Sequence, residues 1–323
     1  MSIKVLFHCV AAGFLALTGA AAAQQYPAKP LRLVVPFAPG GPNDILGRLV
    51  AQNLTQQLGQ NVVVENRGGA GGTIGLEYTA RLPGDGYSIA MGGSSNLAVA
   101  ASLYQKLSYD PLRDFTPIIN VAHVPYAIAV NPTVPAKNVK ELIAIAKTKS
   151  GYLSYGSSGP GSMSNLAAEL LKSMAGADIV HVSYKGTAPA LMDVIAGNID
   201  LMLADLAVIN RHTANGKLRA VGVTSSKRLA SAPNLPTVGE SGLKGYVIEP
   251  WFGVVGPAGV PKDIVAVLNR TIAASLKGGE TLKRLGTLGY EPIGGTPEQF
   301  AATIKADIAN YAKIVKAAGI SIK

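Results

Sequence analysis

LRLVVPFAPGGPND, residues 31–44, sets a short apolar run against a Gly/Pro-rich loop that opens directly into a helix-like segment. The same order returns three times: YSIAM into GGSSN (87–96), LSY into GSSGPGSMSN (153–165), and IVHVSY into KGTAP (179–189). Each stretch reads as a strand, a loop and a helix start. A helix start carries backbone N–H groups without an intrahelical partner and a partial positive charge. Glycine lets a ligand approach those amides, and serine and threonine hydroxyls add donors. Four such junctions facing one crevice make a site for a small anion, with little call for acid, base or metal.

Outward from these junctions, strand-like runs alternate with helical periodicity. Residues 43–58 read as a helix with Ile45, Leu49, Leu54 and Leu58 on one face, 62–65 as a strand, and 73–82 as a helix. A second block starts near Pro125, with a strand at 126–130 and a capping-box helix start at Asn138 to Glu141. Strands at 153–155, 179–184, 199–203 and 218–224 enclose helices at 164–175 and 188–196, closed by Gly176 and Gly197. Residues 246–255 read as a strand returning to the first block, followed by helices over 261–276 and 297–317. Continuous apolar strands between helices predict an α/β fold of two lobes, each a mostly parallel sheet flanked by helices, with the ligand cleft between them. The expected division is 24–124 plus 248–323 for one lobe and 125–247 for the other.

Residues 1–23 read as a secretory signal: Lys4, an apolar core over 5–17, and small residues at 21–23 before Gln24. The apolar run is short of the roughly 20 residues of a spanning helix. Export with cleavage near Ala23 leaves 300 residues without Cys9, the one cysteine. That mature chain has no thiol for a disulfide, a nucleophile or a metal site. Its formal charge is +9, Lys4 being lost from a total of +10. The bases are scattered, and one Trp and six Phe give no aromatic–basic stripe for nucleic acid.

In the first loop, Gly40, Gly41 and Asn43 keep free amides and Phe37 offers an apolar wall. Pro42 falls where a missing N–H costs nothing. Asp44 reads as a helix-dipole partner, since a carboxylate there repels an acid. ENRGGAGGTIG (65–75) lacks the GxGxxG spacing and reads as structural. Residues 156–160 do not spell GxSxG, and His123, His181 and His212 have no metal-ligand spacing. His181 reads as a core imidazole. Asp205 follows a further strand end, where orienting a ligand amine or water and capping a turn are both open readings.

These segments also carry a family resemblance. PFAPGGPND (36–44), VVVENRGGAGGTIG (62–75), PGDGYSIAMG (83–92), YDPLRDFTPI (109–118), YGSSGPGS (155–162), HVSYKGTAPALMD (181–193), GKLRAVGVTS (216–225) and LPTVGESG (235–242) resemble, in order, a Bug-type receptor. That family is the periplasmic solute-binding component associated with tripartite tricarboxylate transporters. The resemblance implies a two-lobed type II periplasmic-binding fold with loops at 37–43, 94–95, 157–158 and 186–188 around a ligand carboxylate. The residues so implicated are Phe37, Gly40, Gly41, Asn43, Ser94, Ser95, Ser157, Ser158, Asn165, Gly186, Thr187 and Ala188, with Asp205 added from the strand-end argument. Relatives often carry His where this chain has Asn165, and Pro where it has Ser183. The expected protein is a monomeric receptor with no cofactor and no metal, taking an amino, dicarboxylic or aromatic acid. Its partners are transporter subunits or a sensor ectodomain. The alternative is a secreted hydrolase or isomerase acting on a small carboxylate.

Overall fold

A computed structural model describes residues 26–148, 150–229 and 231–317. The expected signal over 1–23, with Cys9, lies outside them. The first lobe opens with β1 (Leu31–Val35), α1 (Pro42–Leu58), β2 (Val62–Asn66), α2 (Thr73–Ala80) and β3 (Ser88–Gly93). A π-helical turn at Ser95–Val99 runs into a short α3 (Ala100–Leu103), and β4 (Phe115–His123) leads out of the lobe. The second lobe contains β5 (Tyr126–Val130), α4 (Val139–Thr148), β6 (Leu153–Ser157), α5 (Met163–Ala175) and β7 (Ile179–Ser183). It closes with α6 (Thr187–Ala196), β8 (Leu201–Asp205), α7 (Leu206–Thr213) and β9 (Arg219–Val223). The chain then returns through β10 (Trp251–Pro257), α8 (Lys262–Leu276), α9 (Gly279–Leu288), β11 (Glu291–Gly294) and α10 (Pro297–Ala317).

The strands form two sheets, ordered β11-β4-β10-β3-β1-β2 and β7-β6-β8-β5-β9. Both are mixed but keep one prevailing direction, as the sequence leads one to expect, with β10 and β11 reversed in the first sheet and β5 in the second. β1 pairs parallel with β2 and β3, and β6 with β7 and β8. β10 runs antiparallel to β3 and β4, β11 to β4, and β5 to β8 and β9. A parallel neighbour needs a crossover helix. The strands that carry the chain between lobes arrive without one and enter from the opposite end. An unbroken apolar run records burial on both faces, not direction.

β5, β8 and β10 are buried at every residue. Trp251 packs edge-on against Phe300, with ring centroids 5.4 Å apart, and donates its indole N–H to Asp307 at 2.5 Å. The helix starts are set locally. Asn138 accepts from the Glu141 amide at 2.9 Å while its own amide group donates to Glu141 at 2.8 Å. Ser162 accepts from the Asn165 amide at the start of α5. The expected returning strand over 246–255 starts only at Trp251, because Ile248 already exchanges bonds with Thr224 and Tyr246 is turned inward to the Ala167 carbonyl.

Candidate anion-binding cleft

The carboxyl ends of β1, β3, β6 and β7 all open toward the gap between the lobes, and their loops meet there. One cavity is lined by Phe37, Gly41, Pro42, Asn43, Ser94 and Ser95 from the first lobe, and by Ser158, Met163 and Thr187 from the second. Tyr126 and Phe252, at the two points where the chain passes between lobes, complete the walls. The starts of α1, α5 and α6 therefore share one small space. Its polar groups are hydroxyls, a carboxamide and backbone amides, and none of its lining residues is Lys, Arg or His.

The lobes touch across this gap. A Cβ placed on Gly41 would lie 3.5 Å from the Thr187 hydroxyl, and one on Gly40 3.6 Å from the Ala188 methyl. Tyr104 shares its hydroxyl proton between the Ala70 carbonyl of its own lobe at 2.8 Å and the Pro160 carbonyl of the opposite lobe at 3.2 Å. Gly71 approaches the same carbonyl so closely that a Cβ there would stand 2.7 Å from it. The RGGAGG run (67–72) is thus a place of close backbone approach, and Gly72 lies under the Phe37 ring.

The first loop is braced from behind. Asp44, buried at 4% exposure, accepts from the Gly40 amide at 3.0 Å and from the Asn66 carboxamide at 2.9 Å. Asn66 also donates to the Phe37 carbonyl at 3.0 Å. Arg48, one turn along α1, grips both Asp44 oxygens at 3.0 Å. Burial pushes the Asp44 carboxyl up, but the Arg48, Gly40 and Asn66 bonds outweigh it and hold the group below the usual carboxylate range.

Seven of the expected residues line the cavity: Phe37, Gly41, Asn43, Ser94, Ser95, Ser158 and Thr187. Gly40, Gly186 and Ala188 stand just behind it, at the contact between lobes. Ser157 ends β6, is fully buried, and bonds to His181 Nε2 at 2.6 Å rather than lining the space. That Ser–His pair is stacked into the lobe against Tyr155, ring centroids 4.8 Å apart, and burial lowers the imidazole pKa. Asn165 is turned inward too: its Oδ1 accepts from the Gly161 amide and its Nδ2 donates to the Tyr155 hydroxyl at 2.7 Å. Asp205 caps α7 by accepting from the Ala207 amide at 2.8 Å, and its other oxygen accepts from Tyr290 of the first lobe. Burial raises its pKa to about 7, against the lowering bonds from Tyr290 and Ala207 and the charge of Arg211. Pro42, Tyr126, Met163 and Phe252 line the space but were not among the expected residues. Among the described residues, no group of three or more His, Cys, Asp or Glu suits a metal.

Residues 46–320 match the model of the tripartite tricarboxylate transporter family receptor. The chain belongs to this family. BugT of Bordetella pertussis is 36% identical over 314 residues, 96% of each chain. An R. palustris protein solved with adipate is similar at a TM-score of 0.89 and 38% identity, over 92% of this chain and 99% of its own. MatC from Rhodopseudomonas palustris, solved with bound malate, gives a TM-score of 0.86 at 30% identity, over 90% of this chain and 100% of its own. Members of this receptor family are periplasmic solute-binding proteins, and the chain is a Bug-type solute-binding receptor.

Proposed function

We propose that this receptor captures a small carboxylate, an amino, dicarboxylic or aromatic acid, by closing its two lobes around it. The lobes are residues 24–124 with 248–323, and 125–247. The observation that carries the reading is the meeting of the α1 and α6 starts, from opposite lobes, at one cavity without a cationic side chain. Neutral donors at helix ends complement one negative charge, and excluding water strengthens each charge-assisted bond. Thr187 meets the first loop only when the lobes are together, so ligand contacts made by both favour the closed form. The adipate and malate held by two relatives support the same ligand class.

Capture and release leave the acid unchanged. The site residues in this reading are those lining the cavity, with the Gly40, Gly186 and Ala188 backbone beside them. The receptor works as a monomer in the periplasm after cleavage near Ala23, and delivers its acid to a tripartite transporter or presents it to a sensor. The Ser157–His181 pair does not favour a hydrolase, because Ser157 is fully buried and outside the cavity wall.

Thermal-shift screening of residues 24–323 against a panel of small carboxylates tests this reading. A ligand at a hundred times its dissociation constant stabilises by about 2.7 kcal/mol, a shift of several degrees. At least one acid is expected to stabilise and to be recovered unaltered. A broad panel without a hit, or chemical turnover of the bound acid, overturns it.

A further inference from the structure

We infer that Arg48, outside the cleft and 55% exposed, governs ligand affinity as a positioning residue, by cancelling the charge of the carboxylate that shapes the first loop. This inference rests on the carboxylate-receptor reading. Asp44 follows Asn43, a cavity-lining residue, and sits in the first turn of α1. It closes residues 37–44 into a ring: the Gly40 amide bonds to Asp44, Asp44 to Asn66, and Asn66 to the Phe37 carbonyl. The ring spends the Gly40 amide and leaves those of Gly41 and Asn43 for a ligand, since the helix start gives them no partner.

The same carboxylate is a liability. A negative charge in the first turn competes with a bound anion for the partial positive charge of the helix start. At that range, in a poorly solvated cleft, two like charges repel strongly. Arg48 removes the conflict by gripping both Asp44 oxygens, Nε on one and NH2 on the other, each at 3.0 Å. Its NH2 also reaches the Asn66 Oδ1 at 3.4 Å, so the guanidinium ties the brace together. A fork of this shape suits Arg and not Lys. The loop thus gains a rigid, hydrogen-bonded carboxylate at no net charge.

The test is a charge cycle measured by calorimetry. Malate, adipate, glutamate and benzoate are the probes, and the tightest binder to the unaltered receptor is carried through. Arg48→Met keeps the exposed stem and bares Asp44, and affinity is expected to fall about tenfold. The double variant Arg48→Met with Asp44→Asn removes the bared charge, and is expected to recover most of that loss. A merely structural brace predicts the reverse, because the second change breaks more bonds. The inference is overturned if Arg48→Met binds within twofold of the unaltered receptor, or if the double variant binds no better than Arg48→Met. If none of the four binds, the tightest acid of the broad panel takes their place; if that panel has no hit either, the carboxylate reading falls, and this inference with it.

Discussion

A side chain at Gly186 has nowhere to go. Its φ of +149° lies where L-residues are strained, and a Cβ there would stand 2.9 Å from the Ala38 methyl of the opposite lobe. The strain costs on the order of 1–3 kcal/mol, and the steric conflict arises where the lobes meet. Gly186→Val is therefore expected to stay folded by circular dichroism, melt a few degrees lower and bind its acid at least tenfold more weakly by calorimetry. Normal affinity in a folded variant would remove this loop from the account. The sequence points to the loops but not to the individual atoms that face the cavity. Ser157 and Ser158 are neighbours of one type, yet the first completes a strand against His181 and the second turns to the cavity. Nothing local distinguishes them. Asn165 looks available in sequence, but Tyr155 claims it from a strand ten residues earlier. Tyr126 and Phe252 reach the wall because the chain passes between lobes beside them, a property of topology alone.

At the scale of elements, the joint between β8 and α7 carries a titratable group. Asp205 caps the helix, pairs across the sheet with Tyr126 and accepts from Tyr290 of the other lobe. Burial lifts its pKa from 3.8 to about 7, so its protonated form favours the folded state. The stability it contributes is complete below its unfolded pKa near 4 and is lost as pH rises through about 7. The amount is at most about 4 kcal/mol. Asp205→Asn keeps an oxygen for the Ala207 amide and removes the titration. Urea unfolding across this pH range should show the natural protein losing stability relative to the variant as pH rises. A constant difference would mean that Asp205 titrates normally. Strand directions belong to this scale as well. Runs such as those at 31–37 and 199–203 announce buried strands, while the antiparallel course of β5 and β10 depends on which lobe the chain has just left. β11 escapes notice because EPIG (291–294) holds a proline and a glycine and leans on β4 for its pairing.

Across the whole molecule, two sheets of mixed direction place strand ends from both lobes on one gap, and short loops reach across it. Closure is the working motion we propose. Ligand donors on only one lobe would bind without favouring it; donors on both convert binding free energy into a population shift. None of the cavity's lining residues is Lys, Arg or His, so the preference for an acid that we propose rests on amides and hydroxyls aimed at one negative charge. Removing that charge while keeping the body of the ligand removes what these donors complement. Calorimetric titration of residues 24–323 with each acid that stabilises the protein, and with its fully methylated ester, tests this most directly. The acid should bind and the ester should bind at least thirtyfold more weakly. Equal affinity for the two would contradict carboxylate capture.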